Sequence, residues 1–225
     1  MSFFFVFVFA LFRNTSALVG YMRGEVLLFF AFMNTIDVMF QLTCRGLMLV
    51  PAMVRKGEYD TLLTKPVSPF FLTCFKLFDF MDLGTFVFAI GFLAYAIRDL
   101  PYALGGTQIL IAAVCWICSF VMAVCLNILI AALSFWTTEI ENGMWIYRDL
   151  VYVGRFPPEI YPVGIRKAFT YVLPILLIVS TPTLALIGRV QAPTLALMLC
   201  MTAILVLLSR FVWLQGLKRY TSASA

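Results

Sequence analysis

The chain of 225 residues has no histidine, and its 16 Lys and Arg and 11 Asp and Glu make up only 12% of it. Without an imidazole, His-based general acid–base catalysis, Ser-His and Cys-His nucleophile pairs and most familiar zinc sites are excluded. No other pairing of nucleophile and base stands out, which disfavours a membrane enzyme. A GxxxxGK[ST] phosphate loop is missing, so the chain does not hydrolyse ATP by that route. The net charge of +5 is spread over loops and helix ends instead of a dense basic tract, so nucleic acid is not indicated. Internal repeats, low-complexity tracts and flexible linkers are lacking, which leaves one domain over 1–225. The apolar start MSFFFVFVFALF has no basic residues before it and no small-residue cleavage site after it, so it reads as mature sequence. The six cysteines lie in or beside apolar stretches without disulfide-framework spacing and give no redox compartment.

What is present is apolar. Hydrophobic residues make up 63% of the chain and mean hydropathy is +1.01, which fits no soluble class and points to an integral membrane protein. Apolar stretches at 3–12, 26–53, 77–97, 108–135, 168–187 and 194–217 predict an all-α fold with six transmembrane helices. The first is short, since about ten helical residues reach only about 16 Å. Arg55, Lys56, Lys65, Lys76, Arg148, Arg155, Arg166, Lys167, Lys218 and Arg219 flank one side, against Arg13, Arg23, Arg98 and Arg189 on the other. The positive-inside bias then puts the first group, and both termini if all six spans form, in the cytoplasm. The longer connections, 55–75 and 137–167, are cytoplasmic on this reading. Pro157, Pro158 and Pro162 end any helix there and predict a bent interfacial segment.

Polar residues inside the spans are the candidates for function. Asn34, Asp37, Gln41 and Arg45 fall within an arc of about 80° on an ideal helix, one polar stripe. A charge deep in a span costs about 2.5–3.5 kcal/mol, so Asp37 and Arg45 face protein or a wet cavity. The stripe reads either as the lining of a pathway or as pairing between helices, and the two are compatible. Lys76, Asp79 and Asp82 open the third span, as interfacial anchors or, with Asp37, as the relay of an ion-gradient-driven carrier or channel. Cys115 and Cys118 form a CxxC in the fourth span that reads as buried apolar cysteines, because no outer loop carries cysteines to relay electrons. In the same span Cys115, Ser119, Ala123, Asn127 and Ala131 repeat every four residues, a strip for close helix packing. Pro174 and Pro182 interrupt the fifth span and suggest a break or re-entrant turn in its outer half, a candidate gate.

The first long connection runs Val54-Arg55-Lys56-Gly57-Glu58-Tyr59-Asp60-Thr61-Leu62-Leu63-Thr64-Lys65-Pro66-Val67-Ser68-Pro69. It resembles the basic-Gly-Glu-Leu-Asp-x-Leu-Leu-x-basic-Pro-x-Ser-Pro run of bacterial type-2 ABC exporter permeases, with Tyr59 in place of a leucine. FWTTE at 135–139, RFPPEIYP at 155–162, the Leu173-Pro174 pair and GLKRYTSAS at 216–224 keep the family's order. The likeness departs at the front, where relatives carry a cytoplasmic amphipathic stretch and a complete first span, and the expectation there is a late start at Met1 or a truncated gene.

The resemblance implies a six-span permease in the bacterial cytoplasmic (inner) membrane, paired with a second copy or a paralogous permease. It also implies separate ABC ATPase subunits that hold the ATP and magnesium, so that this chain itself needs no cofactor. It casts 55–69, with Arg55, Gly57, Glu58, Asp60, Leu62, Leu63, Lys65, Pro66 and Pro69, as the element that couples to the ATPase, and the second and fifth spans as pathway lining. A physical basis exists: Gly57 permits a sharp exit from the span, Glu58 and Asp60 suit a short helix N-terminus, and Pro66 and Pro69 stop it.

Overall fold

The computed structural model describes residues 10, 12–13, 17–77, 80–137 and 143–220. The first predicted span, 3–12, lies almost wholly outside them, as does Asp79. Four described helices are long and apolar enough to cross a membrane, and a bent helix pair makes a possible fifth.

Helix α1, Arg23–Cys44, begins where the Glu25 carboxylate accepts the Met22 N–H at 2.9 Å, placing an anion against the free donors of the first turn. Its hydroxyl groups are absorbed locally: Thr35 donates to the Phe32 carbonyl at 2.8 Å and Thr43 to that of Met39 at 2.7 Å. All of 24–36 is buried, so α1 is a central helix. The second span, predicted over 26–53, is one run of 33 residues, Arg23–Arg55, with a local change of helix type inside it. A 3-10 turn over Arg45–Leu49 separates α1 from α2, Val50–Arg55, because Pro51 in the first turn of α2 has no N–H to carry the helix through. Gly46 in that turn lies against the Thr73–Cys74 backbone; a methyl group there would sit 1.8 Å from the Thr73 carbonyl oxygen.

Two short helices, α3 at Asp60–Leu63 and α4 at Pro69–Cys74, lead to α5, Phe80–Arg98, and α6, Gly106–Leu133. Helix α7, Gly143–Val151, continues as a 3-10 turn to Arg155. Then come α8 at Val163–Lys167, α9 at Ile175–Leu186 and α10 at Ala192–Arg219. Helices α1, α6 and α9 form the core. The four-residue strip of α6 is its packing face, with Cys115, Ser119, Ala123, Asn127 and Ala131 all buried. Helix α5 covers α1, and α10 covers α6; both leave mostly apolar faces exposed, as expected of surfaces that meet lipid.

The two ends of the bundle differ. At one, Arg23 pairs with Asp99, and the buried Glu25 accepts from Tyr102 at 2.8 Å and pairs with Arg189 at 3.2 Å. At the other, aromatic rings gather around Tyr59.

The 137–167 connection is not simply a cytoplasmic loop. Arg148 reaches Asp37, Arg155 lies over the Phe30 ring, and Glu159 interacts with the Tyr21 hydroxyl, so 143–159 climbs α1 from depth to the Arg23–Asp99 end. Arg148 and Arg155, read from sequence as loop anchors, therefore sit inside the bundle. The Pro157–Pro162 segment lies at the end opposite 55–69.

The fifth span is interrupted, as its prolines suggest, but only at the first of them. The α8 helix runs into a π-helical turn over Ala168–Val172, stops at Leu173–Pro174, and α9 leaves at 94°. The break is at Pro174, the start of the buried helix, while Pro182 lies inside uninterrupted α9. Proline 174 cannot donate to the preceding turn, and its neighbour Leu173 is extended. Ile178 borders Asp37 and Val151, whereas Arg189, just past α9, is back beside Glu25. Residues 160–187 thus descend from one end and return to it, the course of a re-entrant loop.

Candidate functional site

A cavity of about 350 Å³ opens between α1, α5 and the α7 segment. From α1 it receives Asn34, Asp37 and Gln41, three of the four stripe residues. Asp37 accepts from Gln41 Nε2 at 2.9 Å, a pairing across one helical turn, and lies 3.7 Å from Arg148. The fourth, Arg45, does not line the cavity. The α-helix ends at Cys44, so the angular step that put Arg45 on the stripe fails, and its guanidinium meets Asp82 of α5 at 3.1 Å. Asp82 does face the cavity, with Thr85 beside it. The stripe thus divides: three of its residues line one cavity, and Arg45 pairs between helices.

Sequence reasoning missed the opposite wall, Arg148, Tyr152 and Arg155. Their spacing of four and three residues puts them on one helical face, a signal visible in the sequence but obscured by the prolines that follow. The Arg155 guanidinium stacks 3.8 Å from the Tyr152 ring centroid and 5.8 Å from that of Phe30. Below, Asn127 of α6 and Tyr147 border a small extension of the cavity beside Asp37.

The 55–69 segment has a different construction. Gly57 adopts φ +70°, a left-handed conformation that turns the chain out of α2. Asp60 lies in the first turn of α3, and Pro66 follows its end. Pro69 does not stop this helix; it opens α4, where a missing N–H costs nothing. Arg55, Glu58, Leu63, Lys65 and Pro66 are exposed, while Leu62 and Tyr59 point inward. Tyr59 is fully buried, with ring centroids 5.4 Å from Phe135, 5.8 Å from Tyr220 and 6.5 Å from Trp213, all edge to face. Its hydroxyl lies 3.5 Å from Thr73 Oγ1, and burial pushes its pKa up to about 12. Burial, and then the nearby Asp60 carboxylate, raise Tyr220 to about 12 as well. The segment is therefore fastened to the C-terminal ends of α6 and α10 through one ring.

Among the described residues all six cysteines are free, and no three Cys, Asp or Glu side chains gather in a metal-binding arrangement. Nothing in the cavity pairs a nucleophile with a base; what it provides is charge, hydrogen-bond donors and aromatic surface at membrane depth. A family model described as ABC-2 family transporter protein matches residues 1–224. The chain matched no curated protein and no solved structure.

Proposed function

Since the chain belongs to the ABC-2 family of transporter proteins, we propose that it is the membrane-spanning permease subunit of an ATP-driven exporter. It works as a dimer with a second copy or a paralogous permease, on ATPase subunits encoded separately. The observation that carries this is the family match over residues 1–224 in a chain with several apolar helices and no phosphate loop of its own. Segment 55–69 rests on the ATPase, and Tyr59 passes its displacement to α6 and α10. Asn34, Asp37 and Gln41 line the substrate path; Arg45 steadies it through Asp82. The break at Pro174 lets 160–187 shift against α1 as a gate, with Pro182 a secondary point of bending. This orientation puts 55–69 in the cytoplasm and Glu25, Asp99 and Arg189 at the outer face of a bacterial inner membrane.

An ion-gradient-driven carrier is the less favoured reading, because Asp37 and Asp82 are each already held in an ion pair, with Arg148 and Arg45. Affinity purification of the full chain from its native membrane separates the two. Retention of a nucleotide-binding subunit, with transport in proteoliposomes that depends on ATP, is expected. Isolation of the chain without such a subunit, with transport that follows an imposed proton gradient, would overturn the exporter reading.

A further inference from the structure

The cavity has a surplus of donors. Three buried nitrogens on its wall have no hydrogen-bond partner: Asn34 Nδ2, Arg148 Nε and Arg155 Nε. Asn34 is only 3% exposed and lines the cavity wall. A buried donor left unpaired is costly, and such groups persist where a ligand completes them. Among the described residues, the fully buried unpaired side-chain atoms on this wall are all donors, while Asp37 is engaged by Gln41 and Arg148, and Asp82 by Arg45.

Charge points the same way. Arg45 and Arg148 pair with Asp82 and Asp37, while Arg155 acts on Asp37 only from outside ion-pair range and has no carboxylate of its own within that range among the described residues. Stacking on Tyr152 holds its plane while leaving its edge donors free for a planar or tetrahedral oxyanion. Phe30, Met33 and Val38 give the same cavity an apolar side.

We propose that this cavity binds a terminal phosphate group, a phosphomonoester or free phosphate, held by Arg155, Arg148 and Asn34, as the recognised part of the transported molecule. Three donors from two elements match the several oxygens of a phosphoryl group better than the two of a carboxylate. The group comes either from a lipid head, with its chains along the apolar side, or from free phosphate. The proposal rests on the cavity being the substrate path, but the binding does not require ATP or the ATPase.

The full chain in phosphatidylcholine nanodiscs is titrated with phosphatidic acid or, separately, inorganic phosphate, with the thermal midpoint followed and bound lipid counted by native mass spectrometry. One phosphatidic acid per chain, held more tightly than phosphatidylcholine, is expected. Arg155→Gln should weaken it roughly tenfold or more, Arg155→Lys less, and Asn34→Leu several-fold. Arg210→Gln, an exposed arginine of α10 away from the cavity, should leave binding unchanged. Saturable binding of inorganic phosphate alone would support the site with free phosphate as its source. Equal retention of phosphatidylcholine and phosphatidic acid together with no phosphate binding, or wild-type binding by both Arg155→Gln and Asn34→Leu, would overturn the proposal. A chain that binds the anion yet never associates with an ATPase would keep this site and sink the exporter reading, and the reverse result would do the opposite.

Discussion

The cavity beside Asp37 lies along α1, the aromatic cluster around Tyr59 lies past α2 against the ends of α6 and α10, and the two are opposites. The cavity keeps charged groups half-buried and three donors unpaired. The cluster locks a fully buried ring among three others. A wall with unmet hydrogen bonds can exchange partners as a ligand comes and goes, whereas tightly packed rings move only as a unit. The 3-10 turn over Arg45–Leu49 separates the two, and its Arg45–Asp82 pair ties the boundary to α5.

The harshest way to break the contrast is Tyr59→Ala. It empties the centre of the cluster and should cost about 3–5 kcal/mol, the range for deleting a buried aromatic ring. Thermal unfolding in detergent should show a large drop in midpoint, and Tyr59→Leu, the residue of the resembled motif, should recover most of it. On the cavity side, Asp37→Asn leaves Arg148 without its carboxylate. Because Arg148 is a third exposed, a double-mutant cycle with Arg148→Met should give a coupling of only about 1 kcal/mol in stability. Substrate-stimulated ATP hydrolysis, by contrast, should fall at least tenfold in Asp37→Asn. At the boundary, Arg45→Gln should shift the unfolding free energy by less than about 1 kcal/mol, since Arg45 is 39% exposed.

Much of the layout was legible in the sequence. Hydropathy located the four long apolar helices and the bent pair, the four-residue repeat from Cys115 to Ala131 marked the packing face of α6, and helical angle put Asn34, Asp37 and Gln41 on the one face that lines the cavity. The errors lie at element boundaries, where a helix was taken to run on or to stop at the wrong residue. Arg45 left the stripe because the helix ends one residue before it. Pro69 was taken for a stop although proline equally opens a helix. Arg148 and Arg155 were given to a loop because positive charge beside prolines looks like a boundary, when Asp37 and the ring of Tyr152 make burial of a guanidinium tolerable. No local signal shows that a distant carboxylate will be waiting.

The smallest expected effect is spectroscopic. Tyr59 and Tyr220, both raised to about 12 from an ordinary value near 10, should ionise after the exposed tyrosines when absorbance is followed to high pH. The folded state holds these protons more tightly than the unfolded chain. Their contribution to stability is therefore intact below about pH 10 and lost as pH rises towards 12. Ionisation of both with the exposed group would mean that the cluster is open to water.

The most direct test of the central claim is to purify the full chain from its native membrane in three forms, wild type, Asp37→Asn and Tyr59→Ala, and measure how much nucleotide-binding subunit accompanies each folded chain. The wild type and the cavity variant should carry equal amounts, and the cluster variant much less, because only the cluster holds the 55–69 segment in shape. Absence of an ATPase from the wild type, or equal loss from both variants, would contradict the division of the molecule into a substrate cavity and a coupling clamp.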